Sequence, residues 1–294
     1  RRVVLGLRLV LGLGWYWLVR GYHQLALSWL QHLREQLPPD QHLELSAESL
    51  ILEGRITWRQ GLYAEAKDLF THSLALHQEL ADQAGIAMSL NNLGIIAYSQ
   101  SAFEEAKVLY EQCLRINQEL GDQQGMAMNH NNLGLIAYDQ AFYLQAQEHY
   151  ETCLALCKTL DNQFGIAMSL GNLGTVSRDQ GNYHEAKQQF RGGLLLLREL
   201  GDLRGIAYDL AGIAMLLIHT NAVDASIKLF AASEVLRQQH HISLDPRIMT
   251  SIEVNIKQLH EGSERAHFNA LWQDGETLSA ADAIDLALHE LPAP

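Results

Sequence analysis

Asparagine side chains recur at one fixed position of this sequence, where they could bind a peptide backbone. Asn92, Asn132 and Asn172 are spaced 40 residues apart, and Asn91 and Asn131 precede two of them. Asparagine inside a helix costs about 0.5 kcal/mol relative to alanine, so its recurrence requires a compensating interaction. Each amide offers both a donor and an acceptor, which suits the backbone of an extended peptide or a neighbouring amide of the protein itself. The pattern predicts a peptide-binding groove, and an internal structural ladder is the alternative.

Further side chains are predicted to line the same groove. They share the repeat register of the asparagines and are Met88, Met128, Met168, Tyr98, Tyr138 and Arg178. A methionine stripe marks a hydrophobic core more often than a binding surface, but methionine and tyrosine beside asparagine would form an adaptable, partly apolar groove. We therefore predict that these six residues and the five asparagines contact a ligand.

His149, Cys153 and Cys157 follow one another at four-residue spacing and could place three metal ligands on one helix face. They would extend over about 12 Å of helix, whereas zinc needs its ligands about 2 Å from a single point. Cys153 also falls at a small-residue position of the repeat, where a thiol acts as an apolar filler. The sequence predicts no metal site and no cofactor.

No catalytic site is predicted either. The fourteen histidines are scattered, and no Ser, His and Asp set shares one face of the repeat. A phosphate-binding Gly-x-x-x-x-Gly-Lys-Ser/Thr segment does not occur. The GDQQG segment at 121–125 has no lysine and no preceding strand, which favours a turn. We predict a protein that binds and does not catalyse, so any ATPase activity would belong to a part of the parent chain outside this sequence.

The composition excludes two classes of partner. The formal net charge is -13, with only six lysines, so nucleic-acid binding by this segment is disfavoured. The apolar run at 3–19 contains Arg8 and three glycines and has 17 residues, fewer than the roughly 20 that a membrane span needs. Three cysteines in 294 residues indicate a reducing, cytoplasmic setting.

The sequence repeats itself at an offset of 40 residues. SLNNLGIIAYSQ (89–100) aligns with NHNNLGLIAYDQ (129–140) and SLGNLGTVSRDQ (169–180). Small residues recur at Gly14, Gly54, Gly94, Gly134, Gly174 and Ala214, and bulky ones at Leu30, Phe70, Tyr110, Tyr150, Phe190 and Phe230. Such columns predict two antiparallel helices per unit that approach at the small residue and are wedged by the large one. The turn between them is predicted at Gly21, Gly61, Ser101, Ala141, Gly181 and Asn221.

We predict an all-α, right-handed solenoid of about six helix pairs with capping helices at the C-terminus. The array covers 1–240, with units near 1–40, 41–80, 81–120, 121–160, 161–200 and 201–240, and the cap covers 241–294. The run at 3–19 becomes the first helix of the first unit. Helices are predicted in the cap at about 246–260, 263–274 and 279–290, the last with a Ser279-x-x-Asp282 capping signal.

The Leu-Gly pairs (93–94, 133–134, 173–174), followed by alanine and an aromatic residue, resemble the tetratricopeptide repeat (TPR). The 40-residue period and the missing proline at the unit end depart from its 34-residue pattern and are similar to those of kinesin light chain and related proteins.

The opening segment and the WQDGETLSAADAIDLALHEL ending (272–291) resemble the C-terminal region of bacterial STAND-type ATPases and LuxR-type (MalT-like) regulators. This resemblance implies a sensor arm that binds a protein, a peptide or a small inducer and restrains an upstream NTPase domain. Because residue 1 is arginine, we expect the chain to be a segment of a longer protein. The alternative function is a free-standing TPR scaffold that joins protein partners.

Overall fold

The computed structural model describes residues 2–38 and 41–291, and in these ranges all regular secondary structure is helical. The helices are α1 Arg2–Gly12, α2 Gly14–Arg20, α3 His23–Glu35, α4 Leu43–Arg59, α5 Tyr63–Glu79, α6 Gln83–Ser99, α7 Phe103–Leu120, α8 Gln123–Asp139, α9 Tyr143–Thr159, α10 Gln163–Asp179, α11 Tyr183–Leu200, α12 Leu203–His219, α13 Val223–Gln239, α14 Pro246–Gly262, α15 Arg265–Glu276 and α16 Ala280–Glu290. The helix pairs α4/α5 to α12/α13 follow the 40-residue period, and the all-α repeat prediction is confirmed.

The first unit departs from the predicted single helix at 3–19. Leu13 has φ -90° and ψ 9°, which ends α1 and separates it from α2. Gly12 and Gly14 flank this residue and lower the helical propensity there. The indole Nε1 of Trp17 donates to the Val10 carbonyl at 2.9 Å, which satisfies a backbone acceptor beside the break. No helix of the described residues is long and apolar enough to cross a membrane.

The small residues of the first helices pack against the large residues of the second helices, as predicted. A methyl group added at Gly54 would lie 2.5 Å from Cε1 of Phe70, and one at Gly94 would lie 2.6 Å from Cε1 of Tyr110. Any side chain at these glycines would therefore displace a buried ring. This contact sets the approach of the two helices of each pair, and it leaves the opposite face of the first helix available for other contacts.

All six predicted turn residues adopt the left-handed conformation, with φ between 59° and 80°. Ala141 has φ 60°, its N–H donates to the Tyr138 carbonyl at 2.9 Å, and the next N–H, of Phe142, donates to the Ala137 carbonyl. This geometry ends the first helix of the pair and starts the return of the chain.

Because a side chain in the left-handed region costs about 1 kcal/mol relative to glycine, we expect Ala141→Gly to raise the free energy of unfolding by about that amount. The matched reverse change, Gly181→Ala at φ 80°, should lower it by a similar amount. Urea denaturation of both variants measures the two shifts. Shifts of the same sign would contradict this account of the turns.

The chain divides between Ile136 and Ala137 into two compact units, which we call unit 1 (up to Ile136) and unit 2 (from Ala137). In unit 2 the helices α14, α15 and α16 pack on the repeat helices, and their bounds match the predicted ones closely. The Ser279 hydroxyl accepts the Asp282 N–H at 3.1 Å, so the predicted capping box is present. Arg191 of α11 joins α16 by donating to the carbonyls of Leu288 and Leu291.

Candidate functional site

In unit 1 the asparagines of α6 are buried and bonded within the protein. The Asn92 side chain donates to the Met88 carbonyl at 2.7 Å and accepts from Arg55 Nε at 3.2 Å. The Asn91 Oδ1 accepts from Asn132 Nδ2 of α8 at 3.1 Å. The helices α4, α6 and α8 are the first helices of successive repeats, and these bonds link each one to the next.

Asn131 and Asn132 of α8 and Asn172 of α10 are half-buried. Asn131 Nδ2 lies 3.5 Å from Asn132 Oδ1, so the two neighbouring amides of α8 are in contact. Asn172 lies in α10 of unit 2, at the same register of its repeat. Within unit 1 the asparagine side chains therefore form an internal ladder of hydrogen bonds. A ligand could bond to these amides only if they gave up hydrogen bonds that they already make.

The methionines of this register are exposed. The exposed fraction is 41% for Met88, 51% for Met128 and 38% for Met168. These side chains lie four residues before the asparagine of each first helix, and in each unit we call the surface on which they lie its first-helix face. Exposed, flexible thioethers at a repeated position form an adaptable apolar surface, of the kind that binds protein ligands.

Tyr98 is half-buried in unit 1 and packs against Phe103, with ring centroids 6.0 Å apart. Its counterpart in unit 2, Tyr138, contacts Tyr143 in the same way, at 5.8 Å. Both tyrosines therefore lie at the turn of their helix pair and contact the aromatic residue that begins the second helix.

Unit 2 gathers Tyr138 and Arg178 into a polar cluster. Arg178 Nε donates to Asp179 Oδ1 at 2.7 Å, and the Tyr138 hydroxyl donates to Asp179 Oδ2 at 2.6 Å. Burial acts to lower the pKa of the Arg178 guanidinium, but the bond to Asp179 and the charges of Asp179, Tyr138 and Tyr208 together outweigh it and leave that pKa raised. Burial also raises the pKa of Tyr138. The cluster is thus a neutralised network and not a free cation.

Helix α14 covers part of the first-helix face of unit 2. Arg247, near its start, donates to Asp139 Oδ2 at 2.6 Å and to Asp245 Oδ2 at 2.8 Å. Ile248 and Ser251 of α14 enclose a cavity of about 100 Å³ against first-helix residues. These first-helix residues are Tyr138, Asp139, Thr175, Arg178, Tyr208, Ala211, Gly212 and Met215. A helix of the chain itself therefore already occupies this surface in unit 2.

Asp209, a buried carboxyl group in unit 2, was not among the predicted site residues. It is 2% exposed, and its Oδ2 atom has no hydrogen-bond partner in the part of the chain that the structure describes. The equivalent position in the other repeats holds a smaller or neutral residue: Ser49, Ser89, Asn129 or Ser169. Burial raises the pKa of Asp209 well above its ordinary value, and the charge of Asp202 adds to this. A carboxylate at a repeat position that is otherwise uncharged could have been recognised from the sequence.

The cysteines are packing residues. Cys153 and Cys157 are buried with their Sγ atoms 4.0 Å apart, and the Ser169 hydroxyl donates to Cys153 Sγ. Burial, followed by the neighbouring Cys153, raises the pKa of Cys157 to about 12. Among the described residues no group of three or more His, Cys, Asp or Glu side chains could hold a metal ion. His149 makes contacts within the protein and does not join such a group.

Comparisons with solved structures show the same fold. BtubC (BKLC) from P. vanneervenii is 22% identical, over 68% of this chain and 83% of that protein, with a TM-score of 0.60. The Rap conjugation gene regulator of the plasmid pLS20, in complex with the Phr* peptide, is 14% identical, over 97% of this chain and 76% of that protein, with a TM-score of 0.66. Aspartyl phosphate phosphatase F from Bacillus subtilis is 14% identical, over 95% and 72%, with a TM-score of 0.69. At these identities the likeness concerns the fold alone.

A comparison with curated proteins gives no match. The tetratricopeptide repeat family model, by contrast, matches residues 45–119 and 125–199, which is just over half of the sequence. These two matches cover the helix pairs α4/α5 to α10/α11, whose small and large columns pack as described above. The chain belongs to the tetratricopeptide repeat family.

Proposed function

We propose that this chain is a recognition module that binds a protein or peptide ligand on the first-helix face of its repeats. The observation that carries this proposal is the exposure of Met88, Met128 and Met168 at one register of three successive first helices. Exposed apolar side chains repeated in this way take no part in the contact between glycine and aromatic ring that packs the helix pair. The pLS20 Rap protein, which has the same fold, is described in complex with a peptide.

The groups that would contact the ligand differ between the two units. In unit 1, Met88 and Met128 provide exposed apolar contacts, while Asn91, Asn92 and Asn132 keep the first helices at a fixed spacing. In unit 2, Arg178, Tyr138 and Asn172 remain candidates, together with the exposed Met168. The covering of the neighbouring surface by α14 supports a helical peptide as the ligand, because that surface already accepts a helix.

We further propose that the module is the sensor arm of a larger STAND-type ATPase or transcription regulator in the cytoplasm. In this proposal the array at 1–240 recognises the ligand, which is a protein, a peptide or a small inducer, and the helices at 241–294 close its end. The scaffold alternative, resembling kinesin light chain, uses the same surface to join two proteins. A Gly-x-x-x-x-Gly-Lys-Ser/Thr loop encoded upstream of Arg1 would favour the sensor arm, and an isolated repeat protein would favour the scaffold.

We expect this chain alone to show no ATP binding, because its sequence contains no phosphate-binding loop. Calorimetric titration with ATP and magnesium should give only the heat of dilution. A saturable signal at micromolar ATP would contradict the proposal that the chain recognises ligands without catalysis.

Site-specific photo-crosslinking tests the ligand-binding surface. A benzophenone amino acid in place of Met128, on a first helix, should crosslink a defined ligand in the native cell. The matched control is the same substitution at Val108, which is 52% exposed but lies on the second helix α7. Crosslinks of equal yield and identity at both positions, or none at Met128, would exclude the first-helix face as the binding surface.

A further inference from the structure

The first repeat exposes apolar side chains at positions that a later repeat buries. In α6, Ser89 and Ile96 lie against the preceding repeat: the Ser89 hydroxyl is 3.3 Å from the Ser73 hydroxyl, and Ile96 belongs to the buried cluster around Phe70. In the first repeat the positions equivalent to 85, 89, 93 and 96 are all exposed. They hold Leu5, Leu9, Leu13 and Tyr16, of which Leu9 is 66% exposed.

This exposed row continues onto α3. The rings of Tyr16 and Tyr22 stack with their centroids 5.7 Å apart, and Leu25 and Trp29 follow Tyr22 on one face of α3. Trp15 beside them is 77% exposed. A terminal repeat of a solenoid normally presents a polar outer face, so this end of the array is unusual. We call the eight exposed side chains the N-terminal apolar surface: Leu5, Leu9, Leu13, Trp15, Tyr16, Tyr22, Leu25 and Trp29.

The charge of this segment is opposite to that of the whole chain. The first 34 residues contain five arginines and no acidic residue, and all 34 acidic residues of the chain follow them. Arg2, Arg8 and Arg20 are exposed, and none of the three forms an ion pair with a residue that the structure describes. The N-terminal apolar surface is therefore accompanied by three cations that remain available to an anionic partner.

Two protein occupants fit this surface less well than an anionic lipid does. A further repeat of the same geometry needs a small or polar residue at position 9, because the later first helices have Ser49, Ser89, Asn129, Ser169 or Asp209 there. A second copy paired through the same surface would bring like charges together. The acidic C-terminal helices of a second copy match the charge, but Val254 is the only exposed large apolar residue among the described residues of 241–291.

We propose that the N-terminal apolar surface docks on a lipid bilayer that contains anionic headgroups. The leucine side chains enter the acyl region, the exposed tryptophan and tyrosine rings lie at the boundary with water, and the arginines attract the lipid phosphates. Such docking needs one exposed apolar helix face and no membrane span, and no helix of the described residues is long and apolar enough for a span. The inference does not depend on the proposed ligand-binding function.

Vesicle flotation with the whole chain tests the proposal. One set of vesicles contains phosphatidylcholine alone, and the other contains equal parts of phosphatidylcholine and phosphatidylglycerol. We expect the partition coefficient to be at least about tenfold higher for the anionic vesicles and to fall as the salt concentration rises, because three arginines contribute to the attraction. Lipids brominated in their acyl chains should quench the tryptophan fluorescence, and the double change Trp15→Phe and Trp29→Phe should remove most of this quenching.

Variants separate the apolar and the electrostatic contributions. Leu9→Ser, which introduces the residue type of the later repeats, should reduce partitioning at least about fivefold. Its matched control is Leu144→Ser on α9, at a leucine that is 73% exposed, which should change partitioning by less than about twofold. The double change Arg2→Gln and Arg8→Gln should remove most of the preference for anionic vesicles, whereas Arg115→Gln, at an exposed position of α7, should not.

The proposal is overturned if neither kind of vesicle binds, if both kinds bind equally, or if Leu9→Ser binds as well as the wild type. Polyglutamate tests an acidic protein as the occupant: if it binds as tightly as the anionic vesicles and displaces them, the surface recognises an acidic polypeptide and the proposal is wrong. Sedimentation velocity tests self-association. A dimer that Leu9→Ser dissociates and that anionic vesicles do not disrupt would make this surface an interface between copies, which also contradicts the proposal.

Discussion

Replacing both Asn92 and Asn132 with alanine should lower the free energy of unfolding by about 2–4 kcal/mol. The double change removes the bonds of Asn92 to Met88 and Arg55 and the bond of Asn132 to Asn91. Each lost bond that leaves a buried partner unsatisfied costs about 1–3 kcal/mol. The better helix propensity of alanine returns about 1 kcal/mol over the two positions, which does not offset the loss.

Urea denaturation monitored by circular dichroism gives this difference directly. Gln118→Ala, at an exposed position of α7, is the matched control and should change stability by less than about 0.5 kcal/mol. An unchanged or increased stability of the double variant would show that the amides are held ready for a ligand and not used within the protein. The triple variant with Asn172→Ala extends the same test to unit 2.

Asp209→Asn should raise the stability of the protein by about 2 kcal/mol near pH 8, and this gain should vanish toward pH 4. Asp209 is buried beside Gly171, where an added methyl would lie 2.5 Å from the carboxylate Oδ1. An ionised carboxylate is costly in such a place, where its Oδ2 atom has no hydrogen-bond partner among the described residues. The amide has the same shape and no charge, and Asn129 already occupies the equivalent position of another repeat.

The sign follows from proton linkage. The folded-state pKa of Asp209 is raised, so the folded state binds more protons than the unfolded state above the ordinary range of about 4. Protonated Asp209 therefore makes its full contribution to stability below about pH 4. This contribution is lost as the pH rises toward the folded-state pKa. Thermal melts of wild type, Asp209→Asn and the exposed control Asp68→Asn between pH 4 and 8 measure this slope. A wild-type slope retained in Asp209→Asn would show that another group causes it.

The repeat register could be predicted from the sequence because small residues, large residues and turns each recur every 40 positions. Gly94 and Tyr110 are a clear case, because the Tyr110 ring occupies the space that a side chain at position 94 would need. The break at Leu13 could not be predicted in the same way, because Gly12 and Gly14 lower the helical propensity there but glycines also lie inside the continuous helices α4 and α6. The bond from the Trp17 indole to the Val10 carbonyl, seven residues away, is seen only in the structure.

The site was predicted less completely than the fold. The asparagine column was found, but its sequence pattern is the same whether the amides face a ligand or each other. The bond between Asn91 and Asn132 depends on the spacing of α6 and α8, which only the structure provides. Arg55 and Asp209 could have been found as charged residues in otherwise uncharged columns, since such departures from a repeat pattern require a specific reason.

Binding of the crosslinked ligand to surface variants tests the central claim most directly. Met88→Asp and Met128→Asp place a charge on the first-helix face of unit 1, and Val108→Asp places one on α7, all at positions at least 41% exposed. Isothermal titration should show affinity reduced at least about tenfold by each methionine variant and less than about twofold by Val108→Asp, with melting temperatures unchanged. Equal affinity of all three variants and wild type would contradict the claim that this repeat array recognises its ligand through the first-helix face.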